Sequence, residues 1–119
     1  MVAKQYVPAT GDIVWLTFSL QAGRKQAGRR PAIVLSPQSY NEKTGLALFC
    51  PITSKVKGYP FKVILPPSSR VTGAILSDHV RNLDWRVRRA RFEMKAPRQS
   101  VAEVRAKIAV LLGSGMSSG

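Results

Sequence analysis

No apolar run in this chain is much longer than a single β-strand. Asp12–Phe18, Ala32–Ser36, Gly45–Pro51, Phe61–Leu65 and Gly73–Val80 are short and rich in β-branched or aromatic residues, and polar loops carrying glycine and proline separate them. Trp85–Arg88 alternates apolar and basic residues, as an edge strand with a positive wet face would. Pro37–Gly45 reads as a turn region, with Asn41 and Gly45 as turn residues. One helix closes the chain. Ser100 and Glu103 form a capping box, Val101, Val104, Ile108 and Leu111 fall on one face, and Gly113 stops it. The pattern predicts a mainly β protein with a C-terminal helix, built as a small bent antiparallel sheet or SH3-like barrel of roughly five to seven strands. It shows no repeat and no boundary, so residues 1–113 are read as one domain, followed by a disordered tail over 114–119.

Within this pattern Gln26–Ser36 stands out. Gly28 permits backbone angles closed to other residues, and Pro31 pushes Arg30 into an extended conformation. Ala32–Leu35 then reads as a strand buried on both faces, so Arg30 sits at the strand's root. An arginine held there suits a bidentate grip on a phosphate or carboxylate; equally it suits capping a loop carbonyl. The loop before it, Ser19–Arg29, is long for a hairpin connection, and no acid occurs between Asp12 and Glu42.

Charge narrows the partners. Nineteen lysines and arginines against 6 acids give +13, a field that attracts polyanions such as nucleic acid, an acidic protein or an anionic surface. There is no run of about 18 apolar residues, so no membrane span is expected. Met1–Tyr6 lacks the apolar core of a secretory signal. The one cysteine, Cys50, ends an apolar run and reads as a buried thiol. Together these features predict a cytoplasmic protein.

The chemistry is narrowed by what is scarce. One histidine, one cysteine and six scattered acids make no recognisable metal-ligand set, and neither a nucleophile elbow nor a phosphate-cradling glycine loop is present, so no metal and no cofactor is predicted. RNA cleavage needs neither, because RNA supplies its own nucleophile in the 2′-hydroxyl. Such an enzyme positions that hydroxyl, stabilises charge on the phosphate and protonates the leaving oxygen. Arg30 and Thr53, at the edges of two expected core strands, suit the second task.

The ordered set of short stretches resembles the MazF/PemK-type toxins of bacterial toxin–antitoxin systems. The matching pieces are Tyr6-Val7-Pro8, Gly11-Asp12-Ile13-Val14-Trp15, Gln26-Ala27-Gly28-Arg29-Arg30-Pro31-Ala32, Pro51-Ile52-Thr53, Lys57-Gly58-Tyr59-Pro60-Phe61 and Gly73-Ala74-Ile75-Leu76 with Asp78 and Arg81. The resemblance runs from about residue 6 to residue 113. It implies a barrel of the CcdB/PemK type, a homodimer, and sequence-specific cleavage of single-stranded RNA without metal. The implied products are a 2′,3′-cyclic phosphate and a 5′-hydroxyl, and the implied inhibitor is an acidic antitoxin lying over the RNA groove.

The resemblance also implies roles. Arg30 matches the catalytic arginine, which steadies the phosphate and serves as general acid, and Thr53 matches the hydroxyl that bonds the phosphate. Asp78 matches an acidic position with a base role in some members; a turn-forming aspartate is the other reading. Lys25, Gln26, Arg29, Lys55 and Lys57 lie in the two loops bordering the groove, as RNA contacts or as solvated charges. Lys25 stands where related members can carry a glutamate, which leaves the base to Asp78, solvent or another neighbour. His79 follows Asp78 where glutamine is common, and a hydrogen-bonding role is expected for it. Two other readings remain: a gyrase-poisoning toxin of the same fold, which needs no catalytic arginine, and a non-catalytic RNA-binding barrel.

Overall fold

The computed structural model describes residues 5–18, 28–55 and 58–113; the expected tail at 114–119 lies outside them. The element order is β1 (Asp12–Thr17), β2 (Arg29–Val34), α1 (Gln38–Thr44), β3 (Leu46–Thr53), β4 (Lys62–Ile64), β5 (Ala74–Leu76), β6 (Arg81–Asp84), β7 (Arg91–Lys95) and α2 (Arg98–Leu111). All strand pairs are antiparallel. The strands run β4-β5-β3-β2-β1-β7 across the sheet, and β6 pairs with the other end of β3. β3, the longest strand, therefore carries β2 along one edge and both β5 and β6 along the other.

Alternation along the central strands sends side chains to two cores. Ile13, Ile33, Cys50, Ile52, Val63 and Ile75 form one, and Val104 of α2 closes it, with Val101 and Ile108 packed alongside. Val14, Leu16, Ala32, Val34, Phe49 and Trp85 form the other. Each large apolar side chain buried in this way stabilises the fold by about 1.5–3 kcal/mol.

The expected fold class holds, but several elements differ from expectation, among them strands β6 and β7, which the apolar pattern did not mark. Pro37–Gly45 is not a turn alone: it contains helix α1, which begins after Pro37 and ends at Gly45, whose φ of 76° completes a left-handed cap through its N–H to the Asn41 carbonyl. This helix has no apolar stripe, and what holds it is a buried polar hub. The Asn41 amide donates to the Pro8 carbonyl (2.7 Å) and the Ser36 carbonyl (3.1 Å), and its oxygen accepts from Ser36 Oγ (2.6 Å).

Trp85–Arg88 is a turn, not an edge strand. Trp85 is buried and donates its indole N–H to the Asn41 carbonyl (2.9 Å), while Asp84 accepts the Arg86 and Val87 N–H groups. β6 and β7 flank this turn. Finally, α2 starts at Arg98 behind Pro97 with no side-chain cap; Ser100 lies buried inside the helix, and Leu111 sits exposed at its end. Proline before the first turn does the work expected of the Ser100–Glu103 box, because it removes one donor that the helix could not satisfy.

Candidate nucleic-acid interface

β2 and β3 carry the two residues expected from the sequence to bear the chemistry, Arg30 and Thr53. Their register pairs Ala32 with Pro51, and carried two residues further it sets Arg30 opposite Thr53. Both line a cleft of about 490 Å3, with Trp15, Pro31, Lys55 and Arg70 among its other walls. The Arg30 guanidinium is exposed and makes no hydrogen bond or ion pair among the described residues. Thr53 Oγ1 accepts the Lys55 N–H (3.2 Å), which leaves its own proton free to donate.

Gly73 lets β5 reach this edge. Its φ is 119°, and a Cβ there would lie 2.5 Å from the Thr53 carbonyl oxygen. On the other side, a β-bulge between β1 and β7 leaves Glu93 without a strand partner. Its carboxylate accepts the Trp15 indole N–H (3.2 Å) and pairs with Arg70 (3.5 Å). Trp15 and Arg70 are thus fixed as cleft walls by an acid that does not itself line the cleft. Sequence reasoning missed Trp15, Arg70 and Gly73 as parts of this site; only Gly73 carried a signal, as a glycine opening a strand.

Arg29 has a different environment from its neighbour. Its guanidinium donates to the Trp15 carbonyl (3.0 Å), the Arg89 carbonyl (2.6 Å), the Arg88 carbonyl (3.4 Å) and Thr17 Oγ1 (3.4 Å). Desolvation, then the charges of Arg91 and Arg89, lower its pKa from the ordinary arginine value.

Asp78 does not join Arg30 and Thr53. The β3–β5 register pairs Thr53 with Ala74, and Asp78 lies past the opposite end of β5. There it accepts a short hydrogen bond from the Tyr59 hydroxyl, and His79 Nε2 lies 3.8 Å from its other oxygen. That bond, followed by partial desolvation and the Asp78 charge, raises the Tyr59 pKa. Lys55 lines the cleft; Lys25, Gln26 and Lys57 lie outside the described residues. Among the described residues no carboxylate or imidazole lines the cleft. A guanidinium unpartnered among the described residues and a hydroxyl on neighbouring strands, with two more cations close by, have the chemistry to grip a phosphodiester.

A larger apolar groove of about 990 Å3 runs along α2 between Ile108, Ala109 and Thr10. Among the described residues no helix is long and apolar enough to cross a membrane.

Comparison with known proteins matches residues 9–112 to the family of PemK-like, MazF-like toxins of type II toxin–antitoxin systems. The chain is 43% identical over 112 residues to the endoribonuclease toxin MazF of Escherichia coli K12, covering 94% of this chain and all of that protein. It is similar in structure to MazF from Deinococcus radiodurans, with a TM-score of 0.83 and 56% identity over 92% of this chain and 99% of that one. It also resembles a chain of the MazE–MazF complex of the same organism, at a TM-score of 0.85 and 55% identity over 92% of this chain and the whole of that one.

Proposed function

The chain belongs to the PemK-like, MazF-like toxin family of type II toxin–antitoxin systems, and from that premise we propose that it is an endoribonuclease that cuts single-stranded RNA at short sequences. The observation that carries this reading is the Arg30 guanidinium, unpartnered among the described residues, beside Thr53 in a cationic cleft. A gyrase poison has no use for such a pair.

In the proposed reaction the 2′-oxygen attacks the adjacent phosphorus and the bond to the 5′-oxygen breaks, leaving a 2′,3′-cyclic phosphate and a 5′-hydroxyl. Arg30 grips the non-bridging oxygens, neutralises the charge that builds on them and delivers a proton to the departing 5′-oxygen. The Thr53 hydroxyl donates to the same phosphate. The proton of the 2′-hydroxyl passes to solvent, since no cleft residue among those described offers a carboxylate or imidazole to take it. In the sequence, Lys25 stands where related members can carry a glutamate. Asp78, bonded to Tyr59, acts as a positioning group for the turn at the far end of β5. The chemistry proceeds without metal, consistent with a chain of only 6 acids.

Lys25, Gln26, Lys55 and Lys57 serve as RNA contacts, and of these Lys55 lines the cleft. An acidic antitoxin competes for this basic surface, a reading supported by the MazE–MazF complexes of the relatives and by the net charge of +13. The protein acts in the cytoplasm as a homodimer, and the exposed apolar end of α2, at Val110, Leu111 and Leu112, supports the dimer.

The test is cleavage of a long mixed-sequence RNA in EDTA with mapping of the product ends. Discrete cuts at one shared short word with 5′-hydroxyl termini are expected. Intact RNA in the presence of folded, antitoxin-free protein would sink the reading.

A further inference from the structure

The turn between β6 and β7 is the most positively charged part of the described surface that the cleft does not use. Arg86, Arg89 and Arg91 are exposed, and none forms an ion pair among the described residues. The two nearest acids in sequence are committed elsewhere: Asp84 accepts backbone N–H groups, and Glu93 holds Trp15 and Arg70. Arg89 adopts φ 58°, a left-handed conformation that favours glycine. A bulky cation held at a strained position among like charges is a pattern found at binding surfaces. The strain is sustained by Arg29, which bonds the carbonyls of both Arg88 and Arg89.

This turn is connected to the cleft through the sheet. Arg91 on β7 is the direct cross-strand partner of Trp15 on β1, so the two side chains share a face, and Trp15 is a wall of the cleft. β2, β1 and β7 are adjacent. Arg91 therefore stands two strand spacings from Pro31, another wall of the cleft, about 10 Å at the usual interval, whereas Arg30 pairs with Leu16 and belongs to the other face of the sheet.

We propose that Arg91 and Arg89 form a phosphate track that holds the RNA strand outside the cleaved step, with Arg29 as the positioning residue that keeps the turn in place. This inference rests on the ribonuclease reading, and it extends the bound RNA beyond the cleft along β7. RNA is favoured over an acidic protein because the track meets the cleft at its Trp15 and Pro31 wall, and because successive guanidiniums suit a regularly charged backbone.

The test is binding of 2′-O-methyl RNA, which lacks the attacking hydroxyl, across a salt series. The wild-type chain is compared with the double variant Arg89→Gly, Arg91→Gln. Glycine is at home at φ 58°, so folding is preserved, and thermal unfolding checks it. The expected result is an affinity at least about tenfold weaker at low salt, with the slope of log K against log salt shallower by about 1.4, the share of two phosphate contacts on a single strand. Arg91→Lys, which keeps the charge, is expected to keep most of the slope. Wild-type affinity and slope in the double variant would overturn the proposal, as would a loss seen only with an acidic peptide and not with RNA. Cleavage by the wild-type chain is run in parallel; a failure there counts against the ribonuclease reading while the slopes still judge the track.

Discussion

Arg29 and Arg30 are neighbours on β2 whose guanidiniums are in opposite states: Arg29 donates to four protein oxygens and Arg30 to none among the described residues. On the proposed mechanism the difference separates a positioning residue from a reactive one, and it predicts two distinct failures. Arg30→Ala should leave thermal stability within about 0.5 kcal/mol of wild type and lower RNA cleavage by about 1,000-fold or more, through loss of charge stabilisation and of the acid. Cleavage at the wild-type rate would remove Arg30 from the mechanism.

Arg29→Ala should do the reverse in order of severity. Losing charge-assisted bonds to three carbonyls on an exposed guanidinium should cost about 1 kcal/mol of stability. Arg29→Lys should not restore it, because an ammonium cannot reproduce the planar fork. Denaturant midpoints for the three chains decide this; full recovery by lysine would reduce Arg29 to a plain charge.

Gly73→Ala should injure Thr53 without touching it chemically. The added methyl would meet the Thr53 carbonyl at 2.5 Å, on a backbone that alanine resists. β5 must then withdraw from β3, at a cost of about 2 kcal/mol or more, with cleavage reduced at temperatures where the variant is still folded. Wild-type activity at unchanged stability would show that Gly73 does not set the position of Thr53.

Asn41→Ala removes the hub under α1. The Pro8 and Ser36 carbonyls and the Ser36 hydroxyl lose their buried partner, which should cost about 2–4 kcal/mol. Urea unfolding measures it, and a loss below about 0.5 kcal/mol would mean that α1 is held by something other than this network.

Cys50 should make stability fall on the alkaline side. Burial, then the Asp78 charge, pushes the Cys50 thiol up to about 12 from an ordinary value of 9.0. The folded pKa is raised above the unfolded one, so the contribution is complete below pH 9.0 and is lost as pH rises towards about 12. Tyr6, raised by burial and by its bond to Asp12, acts in the same direction. Cys50→Ala should therefore lose less stability over this interval than wild type; parallel curves would remove the thiol as a cause.

The cleft was legible in the sequence as far as local rules reach. Pro31 after Arg30 and the apolar runs around them place an arginine and a threonine at the edges of adjacent strands, and those two residues do line one cleft. Side-chain partners made at long range were not legible. Arg29 and Arg30 are the same residue type in consecutive positions, and only the fold brings the Arg88 and Arg89 carbonyls to one of them. Asp78 is drawn to Tyr59, 19 residues earlier, across a turn that its own neighbours do not encode. α1 stayed hidden because its stabilising contacts are hydrogen bonds to Pro8 and Ser36, which leave no apolar period to read. The β6–β7 turn was mistaken for a strand because Trp85 and Val87 alternate with arginines, although one is buried at 2% exposure and the other is exposed at 57%.

The two indoles divide optical labour between them. Trp15 is half-buried in the cleft wall with its N–H on Glu93, whereas Trp85 is sealed in the core with its N–H on the Asn41 carbonyl. Fluorescence from a chain carrying Trp85→Phe would report occupancy of the cleft, and from one carrying Trp15→Phe the integrity of the core. The protein thus contains two native, spatially separate dyes, with which ligand arrival and unfolding can be timed independently and without any attached label.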